Sequence, residues 1–130
     1  MSSTIFSLVA VASGGAIGAA LRYGAGILAV QIAGHGFPWA TLSVNVIGSF
    51  LMGILIAVFA QIWQADHAMK LFLMTGFLGA FTTFSAFSLD AVSLYERGEI
   101  LSAAIYVAAS VILSIGALFA GLALIRTVIS

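Results

Sequence analysis

The sequence predicts an all-α integral membrane protein with four spanning helices, and three observations carry that prediction. Charged residues make up 6% of the chain, against about 25% in a typical soluble domain. Mean hydropathy is +1.26, so the chain cannot cover itself with groups that water solvates. Four apolar stretches, roughly 4–30, 39–63, 69–94 and 100–127, each meet the length of about 20 residues needed to cross a hydrocarbon core. The linkers between them are short. They leave no room for a soluble domain, so the 130 residues read as one domain whose function lies within the membrane.

In the first stretch, Gly14, Gly18, Arg22 and Gly26 recur at every fourth position. Small residues at that spacing let helix backbones approach closely, and the glycines read as a packing groove. Arg22 is different, because a guanidinium at membrane depth is costly unless it is paired or snorkels. Two readings stand open for it: reaching the nearby interface along its stem, or setting a positive potential at a pore mouth. Ala10-Val11-Ala12 has the small residues of a signal-peptidase site, but no Lys or Arg precedes it and the apolar run continues beyond it. The segment is expected to be retained.

Residues 33–38 hold the only proline, Pro38, just ahead of the second helix where a missing N–H is harmless. That helix carries Thr41, Asn45, Ser49 and Gly53, again four apart. An amide amid Leu42-Ser43-Val44-Asn45-Val46-Ile47 must hydrogen-bond to protein, water or a passing solute. Interhelical adhesion is the plain account of Asn45; its alignment with Thr41 and Ser49 favours a lining role.

The third stretch contains Gly79-Ala80-Phe81-Thr82-Thr83-Phe84-Ser85-Ala86-Phe87-Ser88. Glycines 76 and 79, β-branched threonines and competing hydroxyls all weaken a helix there. A break frees backbone groups, tolerated at membrane depth only where the site is buried in protein or wet. Freed carbonyls are hard oxygen ligands suited to a small cation such as Na⁺. Phe84 and Phe87 lie three apart, but Phe81 shares the spacing, so periodicity cannot choose among them. A phenyl ring has an electropositive edge, so rings presented edge-on can stabilise a small anion without a full charge.

The fourth stretch repeats the four-residue spacing with Ser102, Tyr106, Ser110 and Ser114. Such a row drifts about 40° per step and forms a slanted polar stripe. A lone membrane serine usually bonds its own backbone; three with a tyrosine in one row favour a track facing a solute.

Composition also excludes several functions. Net charge is zero, so no basic surface exists to bind a nucleic-acid backbone. The absence of cysteine removes disulfides, thiolate nucleophiles and thiolate metal sites. His35 and His67 fall in linkers without a second ligand at metal spacing, and no nucleophile–base pair points to an enzyme. An even number of helices puts both termini on one side, which collects Lys70 and Arg126; Arg97 and Arg22 fall to the other. Two against two gives the positive-inside rule nothing to act on. The chain is therefore a candidate for insertion in both orientations, with opposite copies pairing as an antiparallel dimer.

The residues Gly14-Gly15-Ala16-Ile17-Gly18-Ala19-Ala20-Leu21-Arg22-Tyr23, Thr41-Leu42-Ser43-Val44-Asn45-Val46-Ile47-Gly48 and the Gly79–Ser88 segment resemble the CrcB/Fluc fluoride channel family. The likeness runs through all four helices in order, and the third-helix pattern T-T-F-S-x-F-S is its most specific part. The resemblance implies an antiparallel, dual-topology homodimer in the bacterial inner membrane, with two fluoride pores along the subunit interface. It also implies a structural Na⁺ at the dimer centre, held by main-chain carbonyls at the broken third helices in positions that look like Gly79 and Thr82. Phe84 and Phe87 look like the phenylalanines whose edges face fluoride, and Asn45 like the pore asparagine. Thr41 and Thr83 resemble further polar pore residues, Tyr106, Ser110 and Ser114 the fourth-helix hydroxyl track, and Arg22 the first-helix arginine. Two positions depart from the pattern. Asp90 stands where members often carry Glu, and Leu118 extends no hydroxyl track beyond Ser114.

A rival of another class is the small four-helix proton-coupled multidrug antiporter, also an antiparallel dimer. That mechanism wants a carboxylate deep in the first helix, which here has no acidic residue. A structural subunit or assembly factor, transporting nothing when purified alone, is the third reading.

Overall fold

The computed structural model describes residues 2–129 and is helical almost throughout. Helix α1 runs Ser2–Ala33 and α2 runs Trp39–Gln61. The third span is composite: α3 (His67–Lys70), a π-helical segment (Leu71–Leu78), α4 (Gly79–Phe81) and α5 (Phe84–Glu96). Helix α6 (Ile100–Ile129) closes the chain. Four stretches are long and apolar enough to cross a membrane: Ser3–Ala33, Trp39–Gln61, His67–Glu96 and Ile100–Ile129. The four spans overlap those the sequence predicts, their ends differing by at most three residues, as helix ends commonly do.

Those caps are local chemistry. Pro38 precedes α2 without a side-chain cap, and the carboxylate of Asp66 accepts the Met69 amide at 2.8 Å to start α3. Beyond α5 and its C-cap Arg97, Gly98 adopts φ +82°. Its amide donates to Tyr95 O at 3.0 Å while that of Glu99 reaches Leu94 O at 3.0 Å, a Schellman closure that needs the left-handed residue glycine supplies. Arg97 then ties this turn to the first loop, donating to Gly36 O at 3.2 Å and pairing with Glu99 at 2.9 Å.

Between α4 and α5 the backbone leaves the helical region. Thr82 has φ −89°, ψ 161° and Thr83 has φ −155°, ψ 123°.

Packing follows the small residues. Helix α1 lies along the π-helical segment, where a Cβ on Gly14 or Gly18 would overlap the carbonyl oxygen of Phe72 or Phe77. Helix α2 lies along α6, where a Cβ on Gly53 or Gly121 would overlap the carbonyl of Leu118 or Phe50. Backbone-to-backbone contact of this kind is how helices associate in lipid, where burying apolar side chains gains little. The buried centre is small: Leu42, Leu94, Ala103 and Tyr106, with Phe37, Val46, Phe87 and Ala91 against them. Large apolar side chains such as Ile5, Phe6, Leu101 and Ile112 stand exposed along the outside, as lipid-facing residues do.

Candidate functional site

The extended pair Thr82–Thr83 organises the site, and the fate of its backbone groups can be followed bond by bond. In a continuous helix the Thr83 amide would serve Gly79 O, that of Phe84 would serve Ala80 O, and that of Ala86 would serve Thr82 O. Here the Thr83 amide donates instead to Asn45 Oδ1 at 2.8 Å. The Asn45 Nδ2 donates back to Thr83 O at 3.0 Å, so the side-chain amide pairs with Thr83 as a neighbouring strand would. The Ala86 amide donates to Thr83 Oγ1 at 3.1 Å, which makes Thr83 the N-cap of α5. Ala80 O accepts from Arg22 Nε at 3.0 Å. The carbonyls of Gly79 and Thr82 thus lose the amides that a continuous helix would supply. Thr82 Oγ1 turns back to Leu78 O at 2.9 Å, and its methyl lies where a Cβ on Gly48 would fall.

The same reset sorts the phenylalanines. Phe81 stacks on Phe77, with ring centroids 6.1 Å apart and planes 4° from parallel. Phe84 and Phe87, beyond the extended pair, face each other at 5.5 Å with planes tilted by 51°. Phe84 is 78% exposed on the single chain.

A groove of about 350 Å³ runs beside this point, lined by Asn45, Thr82, Thr83, Phe84, Phe87, Ser110 and Ser114, with Gly48, Ser49 and apolar neighbours. The structure therefore brings most of the residues marked in the sequence to one surface. Ser110 Oγ and Ser114 Oγ are buried there without a hydrogen-bond partner. A membrane serine that forgoes its own backbone is unusual, and its hydroxyl remains free to donate. Ser88, by contrast, closes on Phe84 O at 3.0 Å.

Thr41 and Arg22 line a different cavity, of about 600 Å³, which Thr83 shares. Tyr106 lines neither: it is 0% exposed, its ring 5.3 Å from that of Phe87, and its hydroxyl donates to Asp90 Oδ2 at 3.1 Å. The pairing of Asp90 with Tyr106 escaped the sequence reading, as did the role of Gly48. Gly48 stands three residues after Asn45 on the same helix face, against the Thr82 methyl.

Comparison with known proteins places the chain in a family. The family described as CrcB-like protein, Camphor Resistance (CrcB), matches residues 9–122. A protein of Agrobacterium fabrum named fluoride-specific ion channel FluC is 53% identical over 122 residues, covering 94% of this chain and 98% of that protein. Proteins of the same name from Rhodospirillum centenum and Rhizobium meliloti are similar. The first is 54% identical over 123 residues (95% of this chain, 98% of that one), and the second 51% over 122 residues (94% and 98%). With a match through all four spans and relatives alike over nearly their whole length, this multi-pass membrane protein belongs to the CrcB family.

Proposed function

We propose that this chain is a fluoride-selective channel through which cytoplasmic fluoride leaves the cell passively across the inner membrane. The relatives above carry the name of fluoride-specific channels, and the observation that carries the reading here is the groove itself. It gathers free serine hydroxyls, the Asn45 amide and two phenyl rings at the α4–α5 junction, with no ionised side chain among its lining residues. Fluoride is small and strongly hydrated. Neutral donors at close range, with the positive rims of aromatic rings, can replace its water without binding it too tightly to leave.

A groove with a 78% exposed phenylalanine is an incomplete conduit. We read it as half of a pore that a second, antiparallel copy completes, giving two pores per homodimer. The third helix is then a broken helix, with its break at Thr82–Thr83. A structural Na⁺ fits the donor set at that break. The carbonyls of Gly79 and Thr82 are hard oxygen donors whose helical partners are diverted to Asn45 and to the Thr83 side chain, the kind of ligand a small cation takes. When bound, the ion would supply fixed positive charge and tie the two copies together.

The deciding experiment is fluoride-electrode efflux from liposomes containing the purified protein, with chloride as control. Rapid fluoride release without chloride release, and without need of a Na⁺ gradient, is the expected result. Strict dependence on a Na⁺ or proton gradient would make the protein a coupled transporter instead.

A further inference from the structure

We propose that Arg22 is a positioning residue for the third span: from α1, its Nε–H takes the place of the Phe84 amide as partner of the Ala80 carbonyl. Three observations converge on this. The bond itself is 3.0 Å long and links residues 58 apart in the chain. The only ion pair among the described residues joins Arg97 to Glu99, so Arg22 has no acidic partner there. A guanidinium at depth must find compensation, and here a carbonyl provides it. Finally, Gly18, one turn earlier on α1, lies directly on the backbone of Phe77 and Phe81, so the Arg22 stem starts beside the carbonyl it serves.

The chemistry favours the arrangement. Ala80 lies in the last turn before the helix ends at Thr82, where carbonyls carry the negative end of the helix dipole. A charged donor makes a stronger bond there than a neutral amide. Asn45 holds Thr83 from α2 on the other side of the break. The break is thereby clamped between two helices, three residues apart along the chain. Loss of the Arg22 bond leaves Ala80 O without a partner at membrane depth, where an unsatisfied backbone group is costly.

This role differs from that of a charge at a pore mouth, and one substitution separates them. The Nε2 of glutamine stands the same number of bonds from the backbone as the Nε of arginine. Arg22→Gln keeps the donor and loses the charge; Arg22→Met keeps the stem length and loses both. Reconstituted full-length variants would be compared by hydrogen exchange over residues 79–88 and by fluoride efflux. The amides of Thr82 and Thr83, bonded to Leu78 O and Asn45 Oδ1, report on the clamp. In R22M they should exchange about tenfold faster than in the parent, whereas R22Q should stay within about threefold. Efflux should be at least about fivefold higher in R22Q than in R22M.

Equal exchange in R22M and the parent would overturn the proposal. So would an R22Q protein whose efflux collapses while its exchange is unchanged, a result that decides the matter even if R22M fails to assemble. Only the efflux arm rests on the channel reading. A parent protein that releases no fluoride would sink that reading, while the exchange arm still tests the clamp.

Discussion

Phe81, Phe84 and Phe87 are equivalent by spacing and inequivalent in space, and the difference lies in two residues between them. Thr82 and Thr83, being extended, rotate everything beyond them out of phase with α4. Phe81 is left on the Phe77 ring, and Phe84 and Phe87 reach the groove. Isoleucine keeps apolar bulk but has no electropositive rim. Phe84→Ile and Phe87→Ile should each cut fluoride efflux roughly tenfold while the assembly survives on size exclusion, and Phe81→Ile should leave efflux near the parent rate. Equal losses at all three positions would reduce the aromatic contribution to packing. Tyr106 offers a second test at this scale. Its hydroxyl is spent on Asp90, so its first duty is to that carboxylate. Tyr106→Phe removes the donor and should lower thermal stability in detergent by about 1–3 kcal/mol. Asp90→Asn in the same chain should recover part of that loss, because the two side chains act as one unit; strictly additive effects would show them to be uncoupled.

At the level of elements, the third span depends on what α1 and α2 present to it. The Thr82 methyl occupies the space above Gly48, and its hydroxyl is committed to Leu78 O, so the side chain cannot rotate away without losing a bond. Gly48→Ala should therefore destabilise the fold by about 1–3 kcal/mol through overpacking and speed hydrogen exchange at Thr82 and Thr83. An alanine variant with parental exchange would mean that the segment yields freely. The same region marks where sequence reading ran out. The four spans were legible because apolarity and length are local properties, summed along the chain. The four-residue rows were legible too, and Asn45, Ser110 and Ser114 do share a groove. The partners were not. Arg22 meets Ala80 across 58 residues and Asn45 meets Thr83 across 38, and no periodicity reports such distances. Nor does anything in Leu71-Phe72-Leu73-Met74-Thr75-Gly76-Phe77-Leu78 announce a π-helix. That winding belongs to the stretch where α1 lies close along the span.

For the whole molecule, the open question is what covers the groove, and charge supplies a way to ask it. Lys70 and Arg126 lie at the end of the molecule that holds the termini, with Arg97 at the opposite end and Arg22 nearer that end. Insertion is steered by Lys and Arg close to the span ends, so a balance this even is easily tipped. Gln64, His35 and Gly36 in the linkers and His67 at the start of α3 are exposed and take lysine without disturbing a packed side chain. Gln64→Lys with His67→Lys should force the terminal end into the cytoplasm. His35→Lys with Gly36→Lys should force the other. If two opposed copies close one groove upon the other, each biased protein expressed alone should lose fluoride efflux, and co-expression of the pair should restore it. Because the chain has no cysteine of its own, Ser3→Cys labelled by an impermeant thiol reagent reads orientation directly. The parent should be labelled on about half of its copies if the bias is nil, and each lysine variant on nearly all or nearly none. Full activity from a single biased variant would require that copies pair in parallel or act alone, and in a chain acting alone Phe84, 78% exposed, would face lipid rather than a partner.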